Sequence, residues 1–142
     1  MNKIGPIIII EDDLDDRELL EMIFTRLNYP NEVLFFDDGL KALEYLEGNS
    51  EKPFLILSDI NLPKITGPEL KEKIKNNSDL HMKCIPYLFF TTSAGQRDVI
   101  DAYSKSVQGF FIKPSTLAEL EKTISTIVEY WKICSSPNYI RV

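Results

Sequence analysis

The sequence predicts an α/β protein: a doubly wound, five-stranded parallel sheet with helices on both faces. Three observations predict it. Short apolar runs rich in β-branched and aromatic residues recur five times along the chain. Between them lie stretches in which apolar residues repeat at three- and four-residue spacing. The strand runs are unbroken rather than alternating, as expected of parallel strands buried on both faces and joined by helical crossovers. At 142 residues with 44% hydrophobic content, the chain is the size of one domain with an ordinary core.

The elements follow in order. Ile7–Ile10 is a run of four isoleucines and the first strand. Leu19, Leu20, Ile23, Phe24 and Leu27 then give one face of a helix over Asp15–Leu27. Val33–Phe36 is the second strand, and Leu40, Leu43 and Leu46 mark the second helix. Phe54–Leu57 is the third strand, followed by a weaker helical pattern at Leu70 and Ile74. Tyr87–Phe90 is the fourth, followed by Val99, Ile100 and Tyr103. Gly109–Ile112 is the fifth strand, and Leu117, Leu120, Ile124, Ile127, Val128 and Trp131 form a long closing helix. Residues 1–131 read as the domain and 132–142 as a C-terminal tail, with Ser135, Ser136 and Pro137 suggesting a frayed end from Cys134 onward.

Composition removes several functions. Sixteen basic against twenty-two acidic residues leave a net charge of −6, the wrong sign for a nucleic-acid backbone. No apolar run is long enough to span a bilayer, and the N-terminus lacks the flanks of a signal peptide, so a cytoplasmic location without membrane contact is expected. Cys84 and Cys134 have neither metal-ligand spacing nor the density of a disulfide scaffold and read as reduced thiols.

In open sheets of this kind ligands bind beyond the carboxyl ends of the strands, where the strand order reverses. The residues just past the strands are Glu11, Asp12 and Asp13 after the first, Asp59 and Asn61 after the third, Thr91 and Thr92 after the fourth, and Lys113 after the fifth. Asp37 and Asp38 follow an edge strand and are left out. Carboxylates gathered in this way repel one another and offer hard oxygen donors suited to Mg²⁺. One of them can act as a nucleophile on phosphorus if cations neutralise the transferred charge. Asp59, at the end of a buried strand, is the best placed. Lys113 suits a phosphoryl oxygen as a point charge, and the Thr91 hydroxyl can donate to another.

Taken singly, these residues have plainer readings. Asp13, Asp15 and Asp16 suit N-capping and the dipole of the following helix. Asp-x-Asn after a strand suits an Asx turn, Lys-Pro a surface turn, and Thr91 a strand. Gly39, Gly67 and Gly109 suit turns or caps, and His81 a solvated loop. The joint placement of Glu11, Asp12, Asp59, Thr91 and Lys113 at successive strand ends outweighs those readings.

The stretches Ile7–Asp13, Leu57–Pro63 with Gly67, Tyr87–Ser93 and Phe110–Pro114 resemble the response-regulator receiver family, over about Lys3 to Trp131. The resemblance implies a flavodoxin-like strand order 2-1-3-4-5 and phosphorylation of Asp59 by a histidine kinase or phosphotransfer protein. It implies Mg²⁺ or Mn²⁺ held by Asp12, Asp59 and the Asn61 carbonyl, with Glu11 touching the ion through water. Thr91 and Phe110 become the switch pair, Lys113 the phosphoryl-binding lysine, and the bond before Pro114 a cis bond. Glu11 in place of aspartate and the long loop Asn76–Pro86 are similar to the cyanobacterial phytochrome regulators. Phe110 excludes a ring hydroxyl at its position, and Thr92, where relatives often carry alanine, narrows access to the phosphoryl group.

Three functions compete. A two-component switch would re-pack its fourth and fifth predicted helices to change affinity for another protein, with a homodimer through the tail as one option; it is not a turnover enzyme. A phosphohydrolase of the haloacid-dehalogenase type also uses an aspartyl-phosphate, but it needs a general acid two residues after the nucleophile, where Asn61 stands. A constitutive interaction domain would need none of these positions filled.

Overall fold

The structure, a computed structural model, describes residues 1–92 and 94–137. β1 (Ile7–Ile10), β2 (Val33–Phe36), β3 (Leu55–Ser58), β4 (Tyr87–Thr91) and β5 (Gly109–Ile112) form one sheet in the order β2-β1-β3-β4-β5, and every pairing is parallel. The helices are α1 (Leu14–Leu27), α2 (Gly39–Gly48), α3 (Gly67–Asn76), α4 (Ser78–Met82), α5 (Gln96–Ser104) and α6 (Leu117–Ile133).

Alternation along the strands divides the core in two. Ile7, Ile9, Leu55, Leu57, Leu88 and Phe90 face α1 and α6, meeting Leu20, Ile23, Ile124 and Val128. Ile8, Ile10, Ile56, Tyr87 and Phe89 face the other helices, meeting Ala42, Leu46, Leu70, Leu80 and Ala102. The four isoleucines of β1 are fully buried. Their burial contributes roughly 1.5–3 kcal/mol each before entropy is counted, and it fixes β1 in the sheet interior. Its C-terminal neighbours, Glu11 and Asp12, are thereby delivered beside the end of β3.

Several expectations change. Among the described residues there are six helices, not five: Asn77 caps one extra turn through a hydrogen bond from the Leu80 amide, and Leu80 is buried beneath it. His81 therefore sits in α4 rather than a loop, and the helices predicted as fourth and fifth are α5 and α6. The described part of the tail is anchored, because the buried Ser136 hydroxyl donates to the Met1 carbonyl at 2.7 Å. The Met1 ammonium in turn donates to the Lys83 carbonyl, and the Asn2 amide to that of Pro53 at 3.2 Å. Tyr139 and Ile140 lie outside the described residues. The bond before Pro114 is trans rather than cis, the form X–Pro bonds ordinarily favour.

Candidate functional site: an acidic cleft at the strand ends

Each side chain of the cleft is placed by a strand terminus. The Glu11 amide continues the β1–β2 ladder by donating to Phe36, and the Asp59 amide continues the β1–β3 ladder by donating to Ile10 at 3.1 Å. The Lys113 amide donates to Thr91 at 2.7 Å, extending the pairing of β4 with β5. Glu11, Asp59, Thr91 and Lys113 thus leave the sheet at one edge, and the rigid ladder decides where they point.

Asp59 has two unlike oxygens. Oδ1 accepts from the Thr91 hydroxyl at 2.8 Å and from the Ile60 amide at 2.7 Å. Oδ2 stands 3.8 Å from the Lys113 ammonium, an ion pair beyond hydrogen-bond reach. One oxygen is therefore pinned while the other faces the cleft.

Glu11 is 3% exposed. Its Oε1 accepts from the Asp13 amide at 3.1 Å and its Oε2 from the Lys113 ammonium. Burial pushes the Glu11 carboxyl above its ordinary pKa, and the Lys113 bond works against that shift. For Lys113, burial favours proton loss, but hydrogen bonds to Glu11 and Asp16 prevail and raise the pKa, so the ammonium stays charged.

The acidic donors suit a cation. Carboxylate oxygens of Glu11, Asp12 and Asp59 lie within 4.8 Å of one another, and Asp12 is exposed, which leaves a route from solvent. An all-oxygen set of this size, open to water, fits a divalent ion such as Mg²⁺ that keeps part of its hydration shell. Asn61 is exposed on the loop after Asp59.

Phe110 is half-buried, paired with Phe89 across β4 and β5, with the two rings 5.9 Å apart. Thr91 pairs with Ile112, so the hydroxyl and the ring lie on the same sheet face one strand apart.

Two residues do more than the sequence indicated. Asp16 does sit in the first turn of α1, but its carboxylate also accepts from Lys113 at 3.0 Å. The available signal was its position: the first turn of a helix entered directly from β1 overhangs the strand ends. Gly67 is the first residue of α3, yet it is a packing position as well. A Cβ there would lie 2.3 Å from the Asp59 carbonyl oxygen and 2.8 Å from the Phe89 ring. Gly67→Ala should therefore destabilise the fold by about 1–3 kcal/mol through overpacking. Urea unfolding checks this, and an unchanged midpoint would mean that the Asp59 loop yields freely.

This fold and this cleft define a class of doubly wound α/β protein whose strand-end carboxylates fit a divalent-metal site. Over residues 7–125 the sequence matches the response regulator receiver domain. It is 35% identical to the response regulator Rcp1 of Synechocystis over 88% of this chain and 87% of that protein. The Mn²⁺-bound crystal structure of Rcp1 superposes with a TM-score of 0.80, covering 92% of this chain and 97% of that one. It is 34% identical to a probable methanogenesis regulatory protein, FilR2, of Methanothrix harundinacea, over 88% and 82% of the two chains. The phosphorylated cyanobacterial phytochrome response regulator RcpA gives a TM-score of 0.83 at 31% identity, over 93% and 97%. The chain belongs to the response regulator receiver domain family, and its function is that of a phosphoacceptor in two-component signalling. Receiver domains are signalling modules that interact with histidine kinases or phosphotransfer proteins. Among the described residues, no helix is long and apolar enough to cross a membrane.

Proposed function

We propose that Asp59 is the phosphoacceptor of this receiver and that Oδ2 is the attacking atom. The observation that carries this reading is the asymmetry of the carboxylate, with Oδ1 held by Thr91 and Ile60 and Oδ2 facing Lys113 across 3.8 Å. In the transfer step Oδ2 forms a bond to the phosphorus of a phosphohistidine. The phosphorus–nitrogen bond breaks, and the imidazole leaves with the electron pair and takes a proton from water. Lys113 meets the charge on the transferred group, and the Thr91 hydroxyl donates to a phosphoryl oxygen in place of Oδ1.

Asp12, Asp59 and the Asn61 carbonyl would hold Mg²⁺ or Mn²⁺, with Glu11 contributing through water. The ion supplies charge neutralisation for the transfer. Incubation with acetyl phosphate and Mg²⁺ tests the reading. A stoichiometric acyl-phosphate mapped to Asp59 supports it; rapid turnover of the donor favours a hydrolase, and no labelling a scaffold. The protein acts in the cytoplasm as a switch rather than a turnover enzyme. It binds neither nucleic acid nor membrane, and its output passes to a protein partner or to a second copy.

The output follows from Thr91 and Phe110. A hydroxyl drawn onto the phosphoryl group shifts the end of β4, and the ring beside it on β5 re-packs toward α5 and α6. Trp131, the only tryptophan, lines a groove with Phe110, Tyr103 and Tyr130 and so reports on this surface. Beryllofluoride with Mg²⁺ should change Trp131 emission in the wild type. Thr91→Ala should still be labelled at Asp59 yet lose most of that change. Coupling of this kind is typically about 1–3 kcal/mol, so partner affinity should move roughly 5- to 150-fold. An undiminished response in both Thr91→Ala and Phe110→Ala would route the output elsewhere.

A further inference from the structure

We infer that Asp16 is a positioning residue for phosphoryl transfer, holding the Lys113 ammonium off the attacking oxygen of Asp59. The inference rests on the roles of Asp59 and Lys113 proposed above. An ammonium carries three N–H donors. Two are taken by carboxylates on different elements, Glu11 at the end of β1 and Asp16 in the first turn of α1, the latter at 3.0 Å. One donor remains for the cleft, and Asp59 Oδ2 lies 3.8 Å away.

With Glu11 as the sole anchor, the lysine is free to close that gap and bond Oδ2, the oxygen that Thr91 and Ile60 leave available. An ammonium on Oδ2 occupies the lone pair that must attack phosphorus. A second anchor on α1 keeps the charge near enough to meet a phosphoryl oxygen and far enough to leave the nucleophile bare. The fold does not need this contact. The Asp16 side chain is 31% exposed, and the N-cap of α1 uses its backbone amide, which donates to Asp13 Oδ1 at 3.0 Å. Asp15 shares the first turn as a further acidic partner for the helix dipole.

The test compares Asp16→Ala with Asp16→Asn in the full chain, using acetyl phosphate at saturating Mg²⁺. Asn keeps an oxygen that accepts from Lys113 and loses only the charge. Asp16→Ala should lower the labelling rate at saturating donor by about tenfold, the scale of a misplaced reacting group, with the half-saturating donor concentration unchanged. Asp16→Asn should retain a rate within about threefold of wild type, while both variants show the same small change in melting temperature from the lost helix-dipole charge. In a Lys113→Ala background, Asp16→Ala should have no further effect. Equal rates for Asp16→Ala and Asp16→Asn, a faster Asp16→Ala, or an effect that persists without Lys113 overturns the inference. If Lys113→Ala is itself labelled at the wild-type rate, the role given to Lys113 fails instead.

Discussion

Asp59→Asn should reduce acetyl phosphate labelling by on the order of a thousandfold or more, because a carboxamide removes the nucleophile while keeping its shape. The amide oxygen can still accept from Thr91 and Ile60, so the end of β3 keeps its two hydrogen bonds. In the absence of metal the variant should be more stable than wild type. One of three carboxylates within 4.8 Å loses its charge, and relief of like-charge repulsion is worth about 1 kcal/mol. The two readouts therefore move in opposite directions: mass spectrometry loses the phosphoryl adduct while the melting temperature rises. Labelling of the variant at the wild-type rate would remove Asp59 from its role. A fall in stability would mean that Lys113 more than neutralises the cleft.

Mg²⁺ should raise the melting temperature of the wild type by linkage, since the three carboxylates come together only in the native state. At a hundredfold excess over Kd the stabilisation is about 2.7 kcal/mol. For a chain of this length that corresponds to roughly 8–12 °C. Asp12→Ala should lose most of the increment without harming the fold, because Asp12 is exposed and neither caps a helix nor pairs a strand. Lys113 cannot replace the ion, as its ammonium is already committed to Glu11 and Asp16. A full increment in Asp12→Ala, measured by differential scanning fluorimetry over a Mg²⁺ titration, would place the ion elsewhere.

β1, β3 and β4 were legible because their burial is nearly total, while β2 and β5, at the sheet edges, are only partly buried and were legible from their unbroken apolar runs. A run such as Ile7–Ile10 has no polar face to confuse its reading, and Tyr87–Phe90 differs from the observed β4 only at Thr91. Once five strands are fixed, the sheet edge gathers Glu11, Asp12, Asp59, Thr91 and Lys113 whatever the loops do. What was not legible depends on contacts between distant elements. α4 is five residues long, too short for periodicity to emerge from the sequence around it. Asp16 has the composition of an ordinary first-turn acid, and only the reach of Lys113 across 97 residues shows its second task. Ser136 looks like a loose tail residue until Met1 comes to lie beneath it. Gly67 reads as a helix-start residue, while the space it spares belongs to Asp59 and Phe89.

Met1 and Ser136 meet at the edge where the strands enter the sheet, and the carboxylates stand at the edge where the strands leave it. The length of the strands thus separates the Met1–Ser136 clasp from the cleft, and the surface that meets a phosphodonor is built without it.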